Sequence, residues 1–258
     1  MVKGLYAAYT GMINEQNRMD VLTNNLANAS TTGYKKEGAT SQAFKDVLAY
    51  KIKDTTDYPH LAKNIGNMNL GVKIGENYTD YTQGAFRATE NTYDVALSGR
   101  GFFMVQFTNK NGETGIKYTR DGSFTLNKDG YLVTKDGDYV LDTRERRIQL
   151  DPNKDSAIDT FGRIQQDGMT EATIGITDFA DYNYLEHYGE NYYQPVKGAQ
   201  RIAPDAIMRS GYLEASNVQV VSEMVEMISV SRQYESNQKL IQTIDSTLEI
   251  ASNRLGKV

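Results

Sequence analysis

Catalysis needs side chains that titrate, attack or ligate, and this sequence offers few in useful patterns. It has no cysteine, which removes disulfides, thiolate zinc sites and cysteine nucleophiles. Its two histidines, His60 and His187, lie far apart, so neither a histidine metal site nor a catalytic triad is indicated. Asp151, Asn153 and Asp155 begin like a calcium loop. That pattern fails at its sixth position, Ser156 instead of glycine, and at its twelfth, Gly162 instead of glutamate. Ser98-Gly99-Arg100-Gly101 has the glycines of a phosphate loop, yet the β-like run Phe102-Phe103-Met104-Val105 follows where a helix N-terminus must hold the anion. The 33 Asp and Glu make carboxylate pairs common, so no pair singles out a glycosidase or other cell-wall enzyme. No enzyme activity, cofactor or metal is expected.

Charge and hydropathy narrow the classes further. A net charge of −5 argues against a general nucleic-acid binder. No run approaches the ~18 apolar residues of a membrane span, so no membrane insertion is expected. The opening Met1 to Tyr9 is followed at once by polar Thr10, Asn14 and Glu15, and reads as an amphipathic helix rather than a cleaved secretory signal. Binding and assembly are what remain.

The elements that would position an assembly surface can be read from Gly and Pro. All 4 Pro (Pro59, Pro152, Pro195, Pro204) lie in the middle of the chain. The stretches Leu5 to Ala29, with only Gly11, and Leu213 to Leu255, with neither residue, predict long helices. Between them, Asn111-Gly112, Asp121-Gly122, Asp129-Gly130, Asp136-Gly137 and Asp167-Gly168 predict tight hairpin turns joining short β runs. The expected fold class is α+β: long N- and C-terminal helices pairing as a coiled-coil-like unit, with a β-rich middle domain. The expected division is 1–33 N-terminal helix, 34–72 extended or irregular connection, 73–210 β-rich middle domain and 211–258 C-terminal helix.

Both helices carry a seven-residue repeat. Val220, Met227, Tyr234, Ile241, Leu248 and Leu255 recur every seventh residue, with Val230, Ile244 and Ala251 three further on. Glu223 and Asn237 interrupt that second row. Leu5, Met12, Met19 and Leu26 repeat likewise, with Ala8 and Leu22 beside them. Each helix alone is equally well read as packing on its own domain. Two such helices at opposite ends favour the termini meeting, within a chain or between chains. One seam does not balance the entropy of ordering a helix, so the ends are expected to fray until partners cover them. Protease is then expected to trim towards Tyr34 and Gly211 and leave a β-rich fragment. Ser216 with Gln219 predicts a capping box. Gly33 is expected to cap the N-terminal helix with a positive φ. Asn24, Asn25 and Asn28 are candidates for bonds across to neighbouring helices. The Tyr182 to Tyr193 cluster is the candidate outer surface, and Arg144, Arg146 and Arg147 a solvated hairpin face.

Residues throughout the chain carry a resemblance. Asn24-Asn25-Leu26-Ala27-Asn28-Ala29-Ser30-Thr31-Thr32-Gly33-Tyr34-Lys35 is similar to the N-terminal signature of bacterial flagellar rod and hook proteins. Tyr93 to Phe103, with Gly99-Arg100-Gly101-Phe102-Phe103, and Tyr118 to Phe124 followed by Gly130 to Thr134, resemble the middle of that family. Gly211 to Val218, Glu223-Met224-Val225 and Arg232-Gln233-Tyr234-Glu235 resemble its C-terminus. The length and the Leu-Glu-x-Ser-Asn-Val segment resemble basal-body rod proteins, distal or proximal, more than hook proteins, which usually carry a larger outer domain. The resemblance implies a structural subunit of the rod, the tubular drive shaft of the flagellum. It implies self-polymerisation, contact with neighbouring rod and hook proteins, and delivery by the flagellar export apparatus without a cleaved signal. A surface adhesin, the other non-enzymatic class, would not need two heptad ends.

Overall fold

The computed structural model describes residues 2–51, 63–109, 112–189 and 191–255. Pro59 and His60, and the Asn111 half of the predicted Asn111-Gly112 turn, lie outside the described residues. The architecture is α+β, with a helix at each end and a β-rich middle. The N-terminal helix α1 spans Val2–Ala27 and the C-terminal helix α2 spans Val220–Ile250, followed by a π turn at Ala251–Leu255. Four strands follow α1: β1 (Glu37–Ala43), β2 (Val47–Lys51), β3 (Lys63–Met68) and β4 (Val72–Thr79). β1 pairs antiparallel with β4, and β2 with β3.

The chain divides into two compact units. The first comprises 1–27, 37–80 and 219–258; the second comprises 28–36 and 81–218. Each is therefore built from segments that are distant in sequence.

The second unit holds the main core. Among the described residues its largest sheet has nine strands, with Phe102–Thr108 hydrogen-bonded to Thr114–Thr119, Tyr139–Val140 and Ile176–Phe179. The alternation of a strand separates its neighbours. Phe103 and Val105 join a cluster with Val95, Leu97, Phe124 and Ile164, while Phe102 and Met104 join another with Tyr118, Phe179 and Tyr193.

Several turns follow the sequence. Asp167 and Gly168 both have positive φ, 52° and 79°, and link Arg163–Gln166 to Met169–Thr173 as a two-residue hairpin loop. Gly130 has φ 80°, and a Cβ there would meet the Leu150 carbonyl at 2.2 Å. Arg144, Arg146 and Arg147 are exposed around the turn at Glu145, as expected.

Other expectations are corrected. Asp121-Gly122 is no hairpin turn. Phe124–Leu126 pairs with Leu132–Thr134 instead of the preceding strand, and the Gly122 carbonyl accepts the Val95 N–H at 2.9 Å. The Gly- and Pro-free stretch begins with a strand: Tyr212–Glu214 pairs with Phe86–Ala88, and the helix starts only at Val220. There is no capping box. Gln219 occupies the N-cap without a side-chain bond, while the Ser216 hydroxyl accepts the Val218 N–H at 3.2 Å. The Tyr182 to Tyr193 cluster is not an outer surface: Tyr192 and Tyr193 are core residues, and only Tyr184 of its tyrosines is largely exposed. The aromatic rings there are used for packing, with Tyr193 lying 5.3 Å from Phe102.

Candidate functional site

The first unit contains the two helices that carry the heptads. α1 and α2 meet in reverse order along their lengths. Gly4 lies 3.8 Å, measured from its virtual Cβ, from Ile244 Cδ1; Gly11 faces Asn237; Arg18 pairs with Glu226 at 3.1 Å; Asn25 bonds Glu223 at 3.2 Å. Gln233, with its amide nitrogen turned towards the carboxylate, reaches Glu15 at 3.2 Å.

The two interruptions in the C-terminal repeat are explained by these contacts. Glu223 is fully buried, and Asn25, also fully buried, donates to its carboxylate. The same Asn25 amide donates to the Glu37 carbonyl at 2.7 Å and accepts the Glu37 N–H at 2.9 Å. One side chain thus ties α1 to both α2 and the start of β1. At Asn237 the space comes from Gly11, where an added Cβ would stand 3.1 Å from the amide nitrogen. A polar residue in the seam is matched each time by a residue that bonds it or leaves room for it.

The rest of the predicted seam is partly confined. Leu22, Ala8 and Val230 are buried; Leu5, Met12, Met19, Leu26, Met227, Tyr234, Ile241 and Ile244 are half-buried. Val220 and Leu248 remain exposed, and Leu255 ends the described C-terminal turn. Of the three asparagines, Asn24 is exposed, Asn25 is buried as described, and Asn28 lies past the helix end, accepting the Thr31 hydroxyl at 3.2 Å.

Gly33 has the expected positive φ of 70°, but it does not cap α1, which ends at Ala27. It lies in the second unit, where its N–H donates to the Glu214 carbonyl at 2.8 Å. A Cβ there would stand 2.4 Å from the Asp121 nitrogen, so the chain passes too closely for any side chain.

Sequence patterning missed the charged cluster next to it. Lys35, Arg120 and Glu214 are all buried. The Glu214 carboxylate accepts from Lys35 Nζ at 2.6 Å, from the Gly84 N–H at 2.9 Å and from Arg120 at 3.3 Å. Lys35 also donates to the Thr82 carbonyl at 2.8 Å, and Arg120 to the Gly99 carbonyl at 2.8 Å. Lys35 and Glu214 belong to the quoted terminal motifs, yet no spacing links two residues so far apart. Also missed was an outward row of apolar residues on each helix. Val221, Met224, Val225 and Ile228 on α2, and Tyr6, Tyr9 and Ile13 on α1, are exposed. A second heptad count, offset from the first, would have found them.

Among the described residues no cluster of His, Cys, Asp and Glu suits a metal ion, and no helix is long and apolar enough to cross a membrane. The arrangement presents packing faces.

Known proteins match along the whole chain. Residues 5–35 match the family described as flagella basal body rod protein. Residues 96–171 match the flagellar hook protein FlgE/F/G D1 domain, and residues 209–254 the flagellar basal body rod FlgEFG protein C-terminal family. The flagellar basal-body rod protein FlgF of Caulobacter vibrioides is 35% identical over 263 residues, covering 100% of both chains. The flagellar basal-body rod protein FlgG of Buchnera aphidicola subsp. Schizaphis graminum is 31% identical over 262 residues, covering 96% of this chain and 98% of its own. The flagellar hook-basal body complex protein FlhO of Bacillus subtilis is 31% identical over 272 residues, with 100% of both chains covered.

Proposed function

The chain belongs to the flagellar basal-body rod protein family, and from that premise we propose that it is a structural subunit of the rod, joined to its neighbours through its terminal helices. The observation that carries this is relatedness to rod proteins over the full length, at both ends and in the middle. Its place is the flagellar basal body, and its partners are other rod and hook proteins. Within that role we assign the helices of 1–33 and 211–258 to assembly and the β-rich 73–210 to a wall domain; the 34–72 stretch, expected as an irregular connection, instead carries β1 to β3 and the start of β4, in the same unit as the helices from residue 37 on.

The finer reading is a coiled-coil-like pairing of the two ends, self-polymerisation into a tube, and delivery by the flagellar export apparatus without a cleaved signal. The reversed order of α1–α2 contacts and the seven-residue repeats support such a pairing. The apolar residues left exposed on both helices support burial against other subunits. The contact must be heterologous, since an isologous one closes and cannot propagate a helical polymer. Such a subunit needs no catalytic group.

Isolation of hook–basal bodies tests the role. The chain is expected in the rod fraction, and cells lacking its gene are expected to build no hook or filament and not to swim. Purified chain is expected to release nothing from cell-wall sacculi. Absence from purified basal bodies, or normal filaments without the gene, would refute the assignment.

A further inference from the structure

Each terminal helix carries an outward apolar row that its own chain leaves uncovered, and the two rows lie at opposite ends of the helix pair. On α2 the row is Val221, Val225 and Ile228, each more than half exposed and on the side opposite buried Glu223 and Val230. That part of α2 lies beside the far end of α1, where Arg18 pairs with Glu226 and Asn25 bonds Glu223. On α1 the exposed row is Tyr6, Tyr9 and Ile13. It lies at the other end, where Gly4 approaches Ile244 and Gly11 faces Asn237.

Direction and register follow. The two helices run opposite ways in one chain, so a neighbour points the same way only if its α1 lies antiparallel on this α2. In that sense the rows match. α2 steps by four and three residues through Val221, Val225 and Ile228, and α1 steps back by four and three through Ile13, Tyr9 and Tyr6. A shift of one heptad sets Asp20 against Val221 and Gln16 against Val225; a shift the other way leaves Tyr6 alone on the row. The flanks agree in charge. Beside the α1 row is an apolar hollow lined by Lys3, Tyr6, Thr10, Phe44, Lys45 and Leu70. Neither lysine has an ion-pair partner among the described residues. Beside the α2 row is a groove lined by Ser222, Glu226 and Ser229, and the Glu226 side chain stays 44% exposed while paired with Arg18. By helical geometry, antiparallel docking sets these flanks on one side, lysines towards Glu226; parallel docking would set them on opposite sides. The serines offer hydroxyl partners to the tyrosines.

We propose that α1 of one copy lies antiparallel on α2 of a second copy, with Ile13 on Val221, Tyr9 on Val225 and Tyr6 on Ile228. This rests on the rod-subunit reading and adds to it the faces that join copies and the step between them. Within its own chain Tyr9 lies level with residues near Lys239, whereas on the neighbour it meets Val225. Successive copies are therefore displaced along the helix axis by about 21 Å, at ~1.5 Å per residue. Two different patches are used and every copy keeps the same direction, so each added copy offers a fresh row to the next.

Paired substitutions and crosslinking test this in isolated hook–basal bodies. Tyr9→Lys and Val225→Asp, each replacing the native chain, are expected to cut its incorporation by about tenfold or more and to stop swimming. The two together place opposite charges face to face and are expected to restore both. Both positions are exposed in the single chain, and equal helix content and melting temperature of the purified variants exclude misfolding. The chain has no cysteine, so placed thiols report cleanly. Cells making Ile13→Cys and Val221→Cys chains together are expected to yield a disulfide-linked dimer on oxidation of their basal bodies, and Ile13→Cys with Ile228→Cys is expected to yield none. The proposal is overturned if the single variants assemble normally, if the folded double variant fails, if Ile13 links to Ile228, or if the thiols capture a different rod protein. If the unaltered chain is missing from basal bodies, the rod-subunit reading falls as well; if it is present and Ile13 does not link to Val221, the proposal falls alone.

Discussion

Glu214 sits where two cations and two backbone segments converge, and its carboxylate is shielded from water. Lys35→Ala removes the shortest bond to that buried carboxylate and leaves Arg120 and the Gly84 N–H to hold it; the loss of a hydrogen bond to a charged group costs about 1.5–3 kcal/mol. Lys35→Ala is therefore expected to lower the melting temperature by roughly 5–10 °C, at ~2–4 °C per kcal/mol for a chain of this size. Differential scanning calorimetry measures this, and an unchanged melting curve would mean that the cluster contributes no stability. A second buried group makes a pH prediction. Tyr192 donates to Asp138 at 2.8 Å. Burial pushes its phenol well above the ordinary tyrosine range; the Thr134 hydroxyl pulls the other way, and Asp138 pushes it further up. Below about pH 10 the phenol keeps its proton in both folded and unfolded chains. Above that, the unfolded chain releases the proton while the folded one holds it, so stability falls as pH rises. Tyr192→Phe is expected to give a shallower loss of melting temperature above about pH 10 than the wild type.

The helices show what periodicity reveals and what it hides. A repeat of Leu5, Met12, Met19 and Leu26 against Met227, Tyr234 and Ile241 is visible because apolar residues recur locally, and one helix face follows directly. Glu223 and Asn237 read as defects because their partners, Asn25 and Gly11, lie nearly a chain length away. The C-terminal helix starts later than its Gly- and Pro-free stretch for the same reason: the pairing of Tyr212–Glu214 with Phe86–Ala88 overrides local propensity. Lys35, Arg120 and Glu214 stayed invisible because charge complementarity in three dimensions leaves no spacing in one. A prediction separates seam from surface. Ile241 is half-buried, whereas Ser246 is exposed and its hydroxyl donates to the Thr243 carbonyl at 2.9 Å. Ile241→Asp is expected to speed amide hydrogen exchange along both α1 and α2, and Ser246→Asp along neither. Exchange that rises only locally, around residue 241, would show that the two helices do not stabilise each other.

At the scale of the whole molecule, the division into units revises the fragment expected from proteolysis. Trimming to Tyr34 and Gly211 would retain Lys35 but remove Glu214, and the second unit needs both. The resistant material is expected to include 28–36 and to extend to 218. Cleavage between 37 and 80 is expected to leave the piece containing Lys35 bound, because its bonds are to Glu214 and Thr82 rather than to the cut segment. Native-gel separation of nicked protein, followed by mass spectrometry, checks this. Loss of 28–36 from a core that keeps its melting temperature would contradict it.

The interleaving of the two units also fixes an order in time. A chain made from its N-terminus produces α1 first, yet the α2 residues that face α1 come almost last. Closing so long a loop adds only about 0.6 kcal/mol for each doubling of its length, but contacts of high sequence separation form slowly. The Asn28–Lys36 segment waits in the same way for Glu214. The first helix to emerge is among the last to be enclosed, and for that interval its apolar side stays open to whatever lies nearby.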